Sequence, residues 1–157
     1  MSWLILIVLS LSISIQTHKF SETSFFEALY SKSLDKIDAV LATMEKKENL
    51  DLKMKAFRGT LLMKKSSFMK TPAQKIKVFK EGNKLLEAVI KASPKDILFR
   101  FLRLTIQENA PKILRYYSAI ASDSNMVING YKQLTLKQQS FVLDYAKQSV
   151  SLRVITQ

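Results

Sequence analysis

The residues of this sequence that could do chemistry are mainly basic. Between residues 52 and 80 there is no acidic side chain, and the basic ones are Lys53, Lys55, Arg58, Lys64, Lys65, Lys70, Lys75, Lys77 and Lys80. Such clusters bind anionic partners, in part by releasing counterions. Because lysine predominates over arginine, the cluster suits a solvated surface or membrane headgroups better than base recognition in a nucleic acid. The alternative is an ordinary solvated helix face.

A second candidate site lies between residues 96 and 107. Asp96, Arg100, Arg103 and Gln107 fall within a narrow arc of one helical face. In one interpretation the arginines form a ridge whose planar guanidinium groups bind carboxylate or phosphate. In the other, Asp96 and Arg100 form an i,i+4 ion pair and the arginine stems cover apolar surface. The predicted anion- or partner-binding residues are thus Lys53, Arg58, Lys64, Lys65, Arg100 and Arg103.

The sequence predicts no catalytic, cofactor-binding or metal-ligating residue. It has no cysteine and one histidine, which excludes thiolate chemistry and argues against a histidine metal centre or a Ser/His/Asp triad. Phosphate-binding, metalloprotease and nucleophile-elbow motifs are absent from it. In the segment 107–111 we expect a helix stop, with Asn109 left-handed and Pro111 preventing continuation. Glu108 has no identifiable partner for acid–base catalysis, so an enzyme is the least favoured class.

Four tyrosines form a weaker candidate surface. Tyrosine suits partner interfaces that are half wet and half buried, and it is equally common at the rim of a helical core. The sequence leaves both interpretations open for Tyr116, Tyr117, Tyr131 and Tyr145.

Residues 1–17 differ in character from the rest of the chain. They contain no charged side chain, and residues 3–9 are continuously apolar. This block is shorter than the roughly 20 residues that a transmembrane helix needs, and its length suits a signal peptide cleaved near residues 15–18. We therefore predict an exported protein, periplasmic or secreted, with an uncleaved anchor over residues 1–17 as the alternative. The formal net charge of +12 would then lie entirely in the mature chain.

Residues 18–157 are predicted to form a single all-helical domain. Capping-box spacing, a hydroxyl three residues before a carboxyl or amide, occurs at Ser24–Glu27, Thr71–Gln74, Ser93–Asp96 and Thr135–Gln138. Pro72 and Pro94 follow two of these caps, where a helix tolerates proline. Apolar spacing then predicts helices over about 24–31, 34–47, 50–69, 72–92, 94–110, 112–121, 123–133 and 136–150. We expect residues 150–157 to fray.

Small residues indicate how two of these helices pair. Ala56 and Gly59 in one segment and Gly82 in the next would let the helix axes approach closely, and Pro94 would begin the following unit. The segment 50–94 thereby resembles a degenerate tetratricopeptide-type hairpin, which implies a stack of such units. The expected architecture is antiparallel helical hairpins stacked as a bundle or a short tetratricopeptide-like array.

A second resemblance concerns the stretches AFRGTLLMKK, FKEGNKLLEAVIKASPKD and RFLRLTIQENAPKIL. They are similar to a group of small, exported, uncharacterised helical proteins of Bacteroidetes-type bacteria, which implies a Gram-negative cell envelope and no particular chemistry. We expect a non-catalytic binding or scaffolding module without a cofactor. Its expected partner is an acidic protein or an anionic membrane surface rather than a nucleic acid. The alternative is a structural envelope component tethered by residues 1–17.

Overall fold

The computed structural model describes residues 20–45 and 49–156, and throughout these ranges the fold is built from helices. The α-helices are α1 (Glu22–Tyr30), α2 (Leu34–Glu45), α3 (Leu52–Ser66), α4 (Pro72–Ala92), α5 (Ile97–Asn109), α6 (Ile120–Gly130) and α7 (Leu136–Ala146). Short 3-10 turns lie at Lys112–Leu114, Tyr131–Gln133 and Arg153–Thr156. No strand occurs in the described ranges, so the predicted all-α class is confirmed, with the helices packed as a bundle. The predicted signal segment, residues 1–17, lies outside the described residues.

Two of the predicted capping boxes begin helices where the sequence places them. The Thr71 side chain accepts from the Gln74 backbone N–H and begins α4, with Pro72 at its first position. Thr135 begins α7 in the same way. At α1 the cap is Ser21 rather than Ser24, because the Ser24 side chain is the reciprocal member of that box.

The start of α5 differs from the sequence prediction. Asp96, not Ser93, is the N-cap, and its carboxylate accepts a 3.1 Å hydrogen bond from the Phe99 backbone N–H. The helix therefore begins at Ile97, and Pro94 lies in the turn before it rather than at the first helical position. A carboxylate caps as well as a hydroxyl does, so the acidic partner of the predicted Ser93 box is itself the cap.

Helices α3 and α4 form the closest pair, and the predicted glycines lie where they touch. A Cβ atom built on Gly82 would stand 2.4 Å from the Gly59 carbonyl oxygen, and one built on Gly59 would stand 2.8 Å from the Gly82 carbonyl oxygen. Real Cβ atoms do not approach backbone that closely. The prediction that small residues permit a close helix contact is therefore confirmed, whereas the tetratricopeptide-like array stays a prediction.

The core is joined by stacked aromatic rings from helices distant in sequence. Phe25 of α1 stacks on Phe57 of α3, and Phe26 stacks on Phe141 of α7, each with centroids 4.0 Å apart. Phe26 also packs near Phe101 of α5. These contacts bring the first and last helices together around α3 and α5, because burying the rings removes large apolar areas from water. In the ranges described, no helix is long and apolar enough to cross a membrane.

The end of α5 and the C-terminal segment differ from expectation. Asn109 is helical, and its side-chain amide donates to the Thr105 carbonyl and the Tyr145 hydroxyl. The left-handed residue is Arg115, with φ 50°, which closes a 3-10 turn where a helix over 112–121 was predicted. Residues 150–157 are predicted to fray, but within the described part of that segment, residues 150–156, Leu152 is fully buried in the core.

Candidate functional site

Four of the six predicted anion-binding residues are paired with carboxylates of the chain itself, and two of the four are lysines of α3. Lys53 of α3 forms an ion pair with Glu22 of α1. Lys65, near the end of α3, places its Nζ 2.7 Å from the Asp38 carboxylate of α2. These partly exposed pairs fasten α3 to the first two helices, and each is worth at most about 1 kcal/mol.

The predicted arginine ridge is part of an internal ion cluster. Arg103 donates to both oxygens of Asp123 in α6, from Nε at 2.6 Å and from Nη2 at 2.8 Å. Its Nη1 donates to Glu87 of α4 at 2.9 Å. Arg100 donates to the same Asp123 carboxylate at 3.1 Å and to the Pro94 carbonyl oxygen. We call Glu87, Arg100, Arg103, Tyr116 and Asp123 the arginine cluster.

This cluster fastens three helices and leaves little of Arg103 for an external partner. The Arg103 side chain is 10% exposed and Asp123 is fully buried. The hydrogen bond to Asp123 is the main reason that the pKa of Arg103 is raised, so its charge is permanent. The Tyr116 hydroxyl donates to Glu87 at 2.6 Å. Burial first, and then that bond, raise the pKa of Tyr116 far above its ordinary value.

The predicted Asp96–Arg100 ion pair is not formed. Asp96 is used as the helix cap, and Arg100 turns to Asp123, which lies 23 residues further along the chain. Sequence reasoning missed Asp123, because helical spacing identifies neighbours on one helix and not across two. The one available signal was an acidic residue in the otherwise uncharged stretch 119–130.

The remaining two predicted residues, Arg58 and Lys64, are half-buried and make no ion pair within the described part of the chain. Burial, and secondly the nearby charge of Lys32, lower the pKa of Lys64. A cation that is partly buried beside another positive charge is stabilised by any carboxylate or phosphate that reaches it. Lys64 is therefore the predicted residue best placed for an external anion.

Lys64 lines an apolar groove between the α3–α4 hairpin and the segment that follows α5. The groove has a volume of about 390 Å³, and we name it the lysine-rimmed groove; its defining residues are Lys64, Lys75, Ile76, Phe79, Ile106 and Ile113. Ile76 is 44% exposed and Ile113 is 88% exposed, although both are large and apolar. Of the described residues that line it, none is acidic. The groove thus combines apolar surface with unbalanced positive charge.

A second cavity lies on the other side of the end of α5. This polar cleft has a volume of about 710 Å³, and its defining residues are Gln107, Glu108, Lys112, Tyr117, Tyr145 and Gln148. Asn109 and Ala110 line both cavities, so the end of α5 is the wall between them. The sequence interpretation of residues 107–111 as a helix stop is compatible with both cavities. Where the chain leaves its helix, it creates a concave surface on each side.

Glu108 in the polar cleft is held by the C-terminal part of the chain. Its carboxylate accepts from the Tyr145 hydroxyl at 2.8 Å, the Ser149 hydroxyl at 2.9 Å and the Ser151 backbone N–H at 3.1 Å. Burial first, and then the bond to Glu108, raise the pKa of Tyr145 far above its ordinary value. Glu108 and Tyr145 therefore form a rigid polar wall of the cleft. Within the described ranges, no group of acidic or histidine side chains could hold a metal ion.

Comparison with known proteins gives no match: no protein-family model, no curated protein and no solved structure is significantly similar to this chain.

Proposed function

We propose that this protein is a non-catalytic binding or scaffolding module that receives an acidic, amphipathic segment of another protein in the lysine-rimmed groove. The observation that carries the proposal is an apolar groove that has two lysines and, among the described residues of its walls, no acidic one. A segment with aliphatic side chains on one face and carboxylates beside them complements both properties.

The apolar part of the groove supplies the affinity. Ile113 is almost fully exposed in the unbound protein, and burying such a side chain contributes roughly 1.5–3 kcal/mol. That contribution corresponds to about tenfold in affinity or more. Ile76 and the buried ring of Phe79 continue the same surface, so an aliphatic side chain of the partner would contact a continuous apolar wall.

The basic part supplies selectivity for an acidic partner. A carboxylate near Lys64 would restore the charged state that burial disfavours, and Lys75 offers a second, exposed ammonium group on the same groove. The formal net charge of +12 would steer an acidic partner toward the protein and speed association. A nucleic acid fits less well, because the groove walls are largely aliphatic and do not offer a row of exposed rings on which bases stack.

We also propose that the module works in the cell envelope after export, which rests on the uncharged and apolar character of residues 1–17. Mass spectrometry of the protein recovered from its native cells tests this. A mature N-terminus near residues 15–18 is expected, whereas an intact Met1 on a soluble product would contradict export by a cleaved signal. An intact Met1 in the membrane fraction would favour the tethered structural component instead.

The binding experiment uses the full chain and a labelled helical peptide made of leucine on one face and glutamate on the other. Fluorescence anisotropy should show binding that weakens as salt is raised, because salt screens the lysine–carboxylate attraction. A peptide with lysine in place of every glutamate should not bind. If the acidic peptide does not bind at low salt, the proposal is wrong.

Variants locate the binding. Lys75→Glu and Ile113→Ala should each lower the affinity for the acidic peptide by about tenfold. Lys84→Glu makes the same charge change on α4 at an exposed position outside the groove, and Val154→Ala trims an exposed apolar residue elsewhere. Both controls should leave the affinity nearly unchanged. Equal losses for Lys75→Glu and Lys84→Glu would show that net charge, rather than the groove, governs binding.

Vesicles of anionic phospholipid form the second arm of the same experiment. Membrane binding through charge alone should respond equally to Lys75→Glu and Lys84→Glu and should be indifferent to Ile113→Ala. If the protein binds such vesicles in this way and does not bind the peptide, an anionic membrane surface is the partner and the peptide proposal fails.

A further inference from the structure

The polar cleft differs from the lysine-rimmed groove in its charge. Glu108 and Lys112 are the charged residues among those described around it, and their charges are opposite. The cleft is therefore close to neutral in a protein whose formal net charge is +12. An anionic ligand would bind better elsewhere on this surface, so the cleft favours a neutral ligand.

The cleft also presents a buried polar group without a partner. Gln107 is 5% exposed, and its buried carboxamide oxygen makes no hydrogen bond with the residues that the structure describes. Buried polar atoms are nearly always paired, and those that are not require an explanation. Gln107 lines the cleft, so turning its carboxamide toward a ligand there would give this oxygen a partner.

The other polar groups of the cleft include both hydrogen-bond acceptors and hydrogen-bond donors. Glu108 is an acceptor fixed in place by three donors from the C-terminal part of the chain, so it does not need to reorganise when a ligand arrives. The Lys112 ammonium is a donor, and the Gln148 carboxamide can act as either. Hydroxyl groups both donate and accept, so a hydroxyl-rich molecule is the neutral class that matches this mixture.

The cleft has apolar faces beside these polar groups. The ring of Tyr117 is 54% exposed and Val150 is 74% exposed, and both line the cleft together with Ile120. An aromatic ring presents an electron-rich face, which suits the C–H face of a pyranose ring. The volume of about 710 Å³ lies within the range of small-molecule sites and admits more than one sugar ring.

From these observations we infer that the polar cleft binds a short neutral saccharide. Binding rather than cleavage is expected, because glycoside hydrolysis usually requires two carboxyl groups roughly 5–9.5 Å apart and Glu108 is the one carboxylate among the described residues of the cleft. The inference is independent of the proposed peptide groove, since it depends on other side chains.

Isothermal titration calorimetry and saturation-transfer NMR on the full chain test the inference with the neutral disaccharides maltose, cellobiose and N,N′-diacetylchitobiose. At least one of the three should bind at millimolar concentration or below. If none binds, the inference is wrong. If glucuronate or glucosamine binds and the neutral disaccharides do not, the ligand is charged and the inference is again wrong.

Two variants locate the saccharide. Tyr117→Ala removes the exposed ring and should weaken binding by about tenfold. Gln107→Leu removes the unpaired carboxamide and should weaken binding several-fold without lowering stability, because an unsatisfied polar group is lost from the interior. A purely structural role for Gln107 would instead change the unfolding midpoint and leave the affinity unaltered. Unchanged affinity in Tyr117→Ala would place the ligand elsewhere and overturn the inference.

Ile113→Ala is the matched control, since Ile113 lies in the lysine-rimmed groove and not in the polar cleft. It should reduce binding of the acidic peptide and leave saccharide binding intact, and Tyr117→Ala should do the reverse. The two proposals can therefore fail separately.

Discussion

The stability of the fold should depend strongly on one buried carboxylate of the arginine cluster. Asp123 is fully buried and accepts hydrogen bonds from two guanidinium groups. Asp123→Asn preserves the size of the side chain, removes its charge and turns an NH2 group toward guanidinium N–H groups. We expect this substitution to destabilise the fold strongly, because it leaves a buried cation facing a donor.

The magnitude follows from the geometry. Removing one partner of a buried ion pair typically costs about 3–5 kcal/mol. Three hydrogen bonds of 3.1, 2.6 and 2.8 Å are affected, and Arg103 is too buried for water to replace them. Glu87 still holds the Nη1 of Arg103 at 2.9 Å, which favours the lower end, about 3 kcal/mol. For a chain of 157 residues this corresponds to a decrease in Tm of about 6–12 °C.

Urea and thermal unfolding followed by circular dichroism measure the effect on the full chain. The control is Asp144→Asn, because Asp144 pairs with Lys147 at 2.7 Å and both side chains are more than half exposed. That variant makes the same chemical change and should cost at most about 1 kcal/mol. Comparing the two variants separates the effect of burial on stability from the effect of losing a carboxylate.

Arg103→Gln supplies the complementary measurement. It leaves Asp123 buried with Arg100 alone, so it should also destabilise the fold, and combining it with Asp123→Asn should cost much less than the sum of the two. Similar unfolding midpoints for Asp123→Asn and Asp144→Asn would refute this explanation of the stability. It is refuted equally if Arg103→Gln leaves the midpoint unchanged, since the arginines would then be a surface ridge.

Three further predictions concern stability. Gly82→Ala gains about 1 kcal/mol of helix propensity but brings a Cβ within 2.4 Å of the Gly59 carbonyl, so urea unfolding should show a net loss of about 2 kcal/mol. Gly130→Ala meets a flexible side chain instead and should be nearly neutral; equal losses would contradict the packing argument. Thr71→Ala removes a helix cap and should cost about 1 kcal/mol in the same assay. Because burial raises the pKa of Tyr116, the unfolded chain loses this proton first, and stability should fall as pH rises above about 10. Tyr116→Phe should make that alkaline decrease shallower, and an unchanged slope would contradict the assignment.

The positions of most helices could be predicted from the sequence because their signals are local. The capping box at Thr71 and the proline after it define the start of α4, and residues 72–92 form the helix that they predict. The glycines of α3 and α4 could also be recognised in the sequence as positions of close contact, because a missing side chain lets two helices approach each other. Where two caps compete, as at Ser93 and Asp96, the sequence does not decide between them.

The candidate site could be predicted only in part. Lys64 belongs to the predicted basic cluster and lines the lysine-rimmed groove. The partner of Arg103 could not be predicted, because Asp123 comes from a different helix and helical periodicity carries no information about which helices pack together. Ile76 shares the helical spacing of Phe79 and Leu86, which are buried, yet it is 44% exposed, since the neighbouring elements leave the groove open beside it.

What the sequence by itself determined is therefore the class of fold, the bounds of its best-capped helices and the excess of basic charge over residues 52–80. Only the tertiary structure decided which of those charges face the protein's own carboxylates and which line a cavity. The physical reason is that caps and periodicity act over one or two turns of chain. An ion pair such as Arg103–Asp123, or a cavity on either side of Asn109, depends instead on how far apart in space the packed helices hold their side chains.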